Sequence, residues 1–307
     1  MRVSTFTQNT RIETNIQNLQ RDLATAQRQI STGKKTDVFS GLNGVDARLL
    51  MDYRAEVSRR DEYVNAINSS DMRMRAIDAA MNSMQDVLSD FRADLLEQSG
   101  SVDESAGPLR RTIAEKAFTR VVDLLNTSID GRYLFNGYDT GTAPMQDADT
   151  VLGSFATAFG TPEGTGVPAV IAAADDTYGG GASVGFFNYQ LNYLTATQTA
   201  GETFDVRISD TARIEYGNLA SEMGDLLDVF AVFANYDYTE ANAGEYQDLL
   251  DWGRVQVESG LDQLNVLIGE LGAQRQTIER QRLEHENFST ILQGQIIDLE
   301  QVDQAEA

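Results

Sequence analysis

The chain has 307 residues, no cysteine and a single histidine, and its 47 acidic residues outnumber its 24 basic residues to give a net charge of −23. The missing cysteines exclude disulfides, thiolate metal sites and cysteine nucleophiles, and a lone histidine removes the usual side chain of most catalytic and metal-binding designs. A chain this acidic repels nucleic-acid phosphates and anionic membranes, and it has no run of about 18 apolar residues that could span a bilayer. We therefore expect no catalysis, no cofactor, no metal, no nucleic-acid partner and no membrane partner.

The first predicted element is a helix with coiled-coil spacing at residues 12–30. Its apolar residues follow one another at alternating steps of four and three, which keeps one narrow stripe facing one partner helix. This pattern predicts a long-range partner for the start of the chain. The stripe consists of Ile12, Ile16, Leu19, Leu23, Ala26 and Ile30.

A polar, aperiodic segment with three glycines, residues 31–44, predicts a loop. It contains Lys34 and Lys35, two of the few lysines in the chain. A basic spot in an acidic protein can dock the acidic patch of a neighbour. The interpretation we favour is a helix C-terminal cap, in which cations offset the helix dipole and Gly33 takes the left-handed position.

The next predicted element is a rod-like helix, because no glycine or proline occurs from Val45 to Ser99 and apolar residues recur at steps of three and four from Met74 onward. Arg60 and Asp71 place polar groups in the gaps of this heptad pattern. Pro108 suits the first turn of a following helix, which we expect to fold back antiparallel on the rod.

From residue 139 to residue 210 the character changes. Glycine clusters, short β-type runs and nine acidic residues against the single base Arg207 predict a small acidic β-rich domain on the surface. The predicted division of the chain is a helical part of the rod over residues 1–138, this β-rich domain over 139–210, and a second helical part of the rod over 211–307.

The C-terminal segment again has helical periodicity. Glycines at positions 260, 269, 272 and 294 cost this helix about 1 kcal/mol each relative to alanine, so it needs a partner along its length. We expect it to pair with the N-terminal stripe. The predicted fold is therefore mainly α, a coiled-coil-like bundle of the N- and C-terminal segments with a small β-rich inserted domain. The C-terminal members of the predicted assembly stripe are Leu264, Leu271, Ile278, Leu292, Ile296 and Leu299.

Two terminal stretches resemble the signatures of bacterial flagellins and their relatives. The first is "LQRDLATAQRQISTGKKTDVFSGLNG", and the second is "LGAQRQTIERQRLEHENFSTILQGQIIDLEQVDQAEA". The resemblance implies a structural subunit of the flagellum that is exported without a cleaved signal peptide through the type III apparatus. It also implies an export chaperone, self-association into a ring or tube, and a further apolar helical stretch beyond Ala307.

A third segment, "DGRYLFNGYDTGTAPM" at residues 130–145, is similar to the segment that follows the helical hairpin in the hook–filament junction members of this family. Bulky apolar residues between glycines predict a hinge where a rod meets a globular head, although a buried anchor is the role we favour locally. The predicted hinge residues are Gly131, Tyr133, Phe135 and Gly137.

The resemblance implies a subunit that joins hook to filament, with a neighbouring hook-associated protein and flagellin as partners. One alternative is a filament-forming flagellin, and another is a coiled-coil surface or phage-tail fibre with the β-rich domain as its head. An enzyme in the middle domain has the least support. The one histidine, His285, lacks the second histidine of a His-Glu-x-x-His zinc motif, and we expect it to be a solvated helix residue.

Overall fold

The computed structural model describes residues 3–36, 41–97, 107–159, 203–236 and 243–302. The long helices are α1 (Val3–Thr32), α2 (Gly44–Glu97) and α6 (Ala243–Glu300). The shorter helices are α3 (Gly107–Leu125), α4 (Ala148–Phe159) and α5 (Gly224–Asn235), and a 3₁₀ turn at Ala220–Met223 precedes α5. The prediction of a mainly α fold with long packed helices and a small β component is confirmed.

The β structure in the described residues consists of two short antiparallel hairpins. Strands β1 (Ser128–Ile129) and β2 (Arg132–Tyr133) form the first, and β3 (Phe204–Arg207) and β4 (Arg213–Tyr216) form the second. Of the middle domain predicted at residues 139–210, positions 160–202 lie outside the described residues. The described part contains the helix α4 as well as β3, and the domain boundaries stay a prediction.

The chain divides into two compact units. The first contains residues 1–65 and 280–307, and the second contains residues 66–279. The first unit therefore combines two segments that are far apart in sequence, whereas the second is one continuous segment.

The second unit has a continuous hydrophobic core to which α2 to α6 all contribute. Helix α5 lies at its centre, because most of its residues are apolar and residues 229–234 are all buried. Helix α3 begins beside the end of α2, where the buried Arg110 lies 3.7 Å from Asp94, and both helices place apolar residues in this core.

Within the second unit, α2 and α6 run side by side in opposite directions. Arg275 of α6 pairs with Asp71 of α2. Asn265, which precedes Arg275 in α6, accepts a hydrogen bond from Gln85, which lies fourteen residues after Asp71 in α2. The pairing continues at Gly260, which lies directly against Leu88. Asp71, a polar residue in the predicted heptad, thus meets a cation of the partner helix at 3.3 Å.

Local signals explain where the long helices start and stop. Asn43 caps α2, because its side-chain oxygen accepts the backbone N–H groups of Val45 at 3.1 Å and Asp46 at 2.8 Å. Gly33 ends α1 with a positive φ of 69°, and its N–H donates to the carbonyl of Gln29 at 2.7 Å.

Candidate assembly surface

The apolar stripe of α1 faces solvent in this chain. Every large member of the stripe is between 52% and 74% exposed. Exposed apolar side chains at strict heptad spacing form a surface that another helix can cover. The N-terminal members of the predicted assembly stripe therefore remain available to a partner. They are Ile12, Ile16, Leu19, Leu23 and Ile30.

The C-terminal members of the stripe lie elsewhere. Leu264, Leu271 and Ile278 are buried in the core of the second unit, and Leu292 is buried in the first. Ile296 and Leu299 are half-buried. The structure thus does not bring the two halves of the predicted stripe together.

The N- and C-terminal stripes do not pair with each other as expected, because the partner of α6 is α2. Helix α2 has 54 residues and α6 has 58, so each covers the other over many heptads. Both carry apolar residues at steps of three and four, and α2 supplies Ile67, Met74 and Met81 to the shared core. The sequence contained three compatible stripes, and the longest two pair.

The end of α1 is nonetheless fastened to the end of α6 by main-chain hydrogen bonds. The N–H of Lys35 donates to the carbonyl of Glu300 at 2.7 Å, and the N–H of Val302 donates to the carbonyl of Gly33 at 3.1 Å. The N-terminal and C-terminal parts of the described chain therefore meet at one point within the first unit.

Charged side chains reinforce this junction. The Glu300 carboxylate binds Lys34 Nζ at 3.1 Å and also binds Arg54 of α2. Burial raises the pKa of Glu300, but the hydrogen bonds and charges of Lys34 and Arg54 outweigh burial and hold that pKa below its ordinary value. We call this arrangement of Lys34, Arg54 and Glu300 the clasp. Sequence analysis missed it, because no local pattern relates residues that lie 246 positions apart.

His285 is buried, so the expectation of a solvated histidine is wrong. Its ring stacks on Tyr63 with centroids 5.2 Å apart, and Arg60 Nη1 lies 3.0 Å from its Nδ1. A guanidinium can only donate, so Nδ1 accepts and the ring proton sits on Nε2. Arg60 also covers the Phe288 ring at 4.2 Å. The gap in the heptad at Arg60 is thus filled by a polar layer between α2 and α6.

The predicted hinge residues lie in and after the first β-hairpin. Gly131 has a φ of 73° and follows Asp130 at 52°, the backbone pattern that a tight two-residue hairpin turn requires. Tyr133 is half-buried in β2, and Phe135 is buried with its carbonyl accepting the N–H of Ala220 at 2.8 Å. Gly137 has a φ of 56°. These contacts describe an anchor in the second unit, and the hinge role stays a prediction.

Within the described residues, no group of three or more His, Asp or Glu side chains is placed to hold a metal ion. In the same part of the chain, no helix combines the length and the apolar character that crossing a membrane requires. The first unit offers instead the exposed stripe of α1, the clasp and the basic residues beside it.

Two solved structures are similar to this chain. A solved structure from Vibrio parahaemolyticus, provisionally assigned as a flagellar hook-associated protein, superposes with a TM-score of 0.58 at 12% identity and covers 83% of this chain and 98% of its own. The crystal structure of Bacillus cereus FlgL superposes with a TM-score of 0.40 at 15% identity, over 84% of this chain and all of its own. The first likeness supports the fold.

Sequence comparison finds a related family over part of the chain. No curated protein matches the chain by sequence. The family model for the bacterial flagellin N-terminal helical region matches residues 3–140, which include α1, α2, α3 and the first hairpin. The resemblance drawn from the N-terminal signature is confirmed over this stretch, and residues 3–140 of this chain are similar to the N-terminal helical region of bacterial flagellins.

Proposed function

We propose that this chain is a structural subunit of the bacterial flagellum, of the junction type known as hook-associated protein 3, which joins hook to filament by self-assembly. The observation that carries the proposal is the exposed heptad stripe of α1. Exposing the five large apolar side chains of this stripe to solvent is unfavourable in a monomer and is typical of a surface that a neighbouring subunit covers.

The proposed mechanism separates the two stripes by role. The seam between α2 and α6 holds each subunit together before assembly, because its apolar residues are already buried. The stripe of α1 is then covered by helices of neighbouring copies, which form a ring or tube. The clasp holds the end of α1 against α6, so that α1 leaves the rest of the first unit at a defined position.

The remaining parts of the proposal follow from the family. The subunit is exported without a cleaved signal peptide through the type III apparatus, accompanied by an export chaperone, and acts outside the cell. Its neighbours are a second hook-associated protein and flagellin. The family match to residues 3–140 supports this setting for the N-terminal helical part of the chain.

A filament-forming flagellin is the second candidate, because the family model that matches residues 3–140 describes flagellins in general. Deleting the coding region separates the two. Loss of a junction subunit leaves cells with hooks, without attached filaments, and with flagellin in the medium. Loss of the filament protein removes flagellin from both cells and medium. Normal attached filaments in the deletion strain would contradict both functions.

A further inference from the structure

The N-terminal segment differs in charge from the rest of this acidic chain. Residues 1–36 contain six Lys and Arg against two Asp and Glu, whereas the remaining residues contain 18 against 45. A cationic segment on a strongly anionic protein is attracted to the surface of another copy, provided that its cations face outward.

Several of these cations meet at a cavity beside the end of α1. The cavity has a volume of about 120 Å³, lies entirely within the first unit, and is lined by residues of α1 and the loop that follows it. Its charged lining consists of Arg28, Lys34 and Lys35, and no carboxylate lines it. The site is therefore cationic in the part of the chain that the structure describes.

The three cations differ in the contacts that they already make. Lys34 already binds Glu300 in the clasp at 3.1 Å. Arg28 is oriented by its own helix, donating through Nε to the carbonyl of Ala24 at 3.3 Å and through Nη2 to the hydroxyl of Thr25 at 3.4 Å. Its guanidinium has five N–H donors, so most remain for a ligand.

Lys35 combines a fixed backbone with an uncommitted ammonium group. Its N–H donates to the carbonyl of Glu300 at 2.7 Å, and its carbonyl accepts the side-chain amide of Gln29 at 2.9 Å. Its Nζ forms no ion pair with the described residues, and the residue is exposed. Holding the backbone of a cationic residue in place lowers the entropy lost when its side chain binds an anion.

We infer that this cavity is a carboxylate-binding site, in which Arg28 and Lys35 take an acidic side chain from a second copy of this chain. The inference rests on the proposed self-assembly and adds to it a named contact and its chemistry. The occupant follows from charge complementarity, since everything outside residues 1–36 carries an excess of 27 acidic residues. The threonine hydroxyls of the lining contribute little, because Thr25 and Thr32 donate theirs to main-chain carbonyls of α1.

Zero-length carbodiimide cross-linking tests the site directly, since it joins a lysine to a carboxylate only when they are in contact. The chain has three lysines, so every cross-link can be assigned. We would assemble an equal mixture of ¹⁴N- and ¹⁵N-labelled full-length chains and identify cross-linked peptides by mass spectrometry. Lys34 is the internal control and should join to Glu300 within one chain, because the two already touch.

The expected result is a mixed-isotope cross-link from Lys35 to an Asp or Glu of another copy, present in assemblies and absent from monomers. Cross-links from Lys35 that are only intrachain, or none in assemblies that form normally, would overturn the inference and leave the proposed function standing. A wild-type chain that does not assemble under any condition would overturn both.

A matched set of variants gives a second readout. Lys35→Gln and Arg28→Gln should each slow assembly about fivefold at low salt, and the difference from wild type should vanish at high salt. Lys116→Gln, an exposed lysine of α3 in the second unit, removes the same charge elsewhere and should leave the rate unchanged. Equal slowing by all three variants would mean that net charge acts rather than this site.

Discussion

Replacing an exposed stripe residue should separate assembly from folding. Leu19 is 74% exposed and Leu23 is 60% exposed, so each loses almost no contact when it is replaced in the free subunit. We therefore expect Leu19→Asp and Leu23→Asp to change the free energy of unfolding of the monomer by no more than about 0.5 kcal/mol.

In the assembly the same changes act differently. Covering a leucine side chain fully contributes about 1.5–3 kcal/mol, and Leu19 still has roughly three quarters of that to gain, or about 1–2 kcal/mol. Burying a carboxylate at the same place adds about 1–3 kcal/mol of desolvation cost. Since each 1.4 kcal/mol is about tenfold in affinity, either substitution should raise the concentration needed for assembly by at least about tenfold.

The matched control is Leu271→Ala in the buried seam of α6, where the side chain is 1% exposed. It should lower the free energy of unfolding by about 2–5 kcal/mol. Circular dichroism during urea unfolding measures stability, and sedimentation over a concentration series measures assembly. Assembly of Leu19→Asp at the wild-type concentration would refute the role of the stripe, and a large loss of its monomer stability would refute the exposed placement of α1.

Two further predictions concern the second unit and the clasp. Gly253→Ala should destabilise the chain by about 1–3 kcal/mol, because its new Cβ would lie 2.5 Å from the Phe233 ring. Gly269→Ala has nothing within 4 Å of its new Cβ and should stabilise the chain by about 0.5–1 kcal/mol. Thermal unfolding of each variant measures the effect, and a stabilised Gly253→Ala would contradict the close approach. Glu300→Gln should lose the stability that the clasp adds. Because the pKa of Glu300 is lowered in the folded chain, the clasp contributes this stability above the ordinary glutamate pKa, and the contribution disappears as the pH falls through the lowered pKa. The gap between wild-type and Glu300→Gln melting temperatures should therefore be full at pH 7 and close on acidification, and a gap that widens at low pH would refute the assignment.

Much of the architecture is readable from the sequence because helical periodicity is a local property. The alternating steps of four and three in residues 12–30 and again from Met74 predict the long helices. The hairpin turn at residues 130–131 was not predicted, although an Asp-Gly pair is typical of such turns. The N-terminal signature carried the resemblance to flagellins, and it lies within residues 3–140, which match the family model. The sequence also shows that Arg60 and Asp71 interrupt the heptad pattern with polar groups, but it does not show which residues they contact.

Which stripe meets which is a tertiary choice. Three helices carry compatible apolar stripes, and the sequence does not rank the pairings, because burial depends on length and register along the whole seam. The structure pairs α2 with α6, buries His285 between Tyr63 and Arg60, and leaves the stripe of α1 in solvent. The clasp is equally invisible to local pattern, since Lys34, Arg54 and Glu300 become neighbours only when distant segments of the chain pack in the first unit. Spacing thus predicted the helices and the terminal motifs carried the resemblance to flagellins, and only packing decided which apolar surface is buried within the chain and which stays exposed.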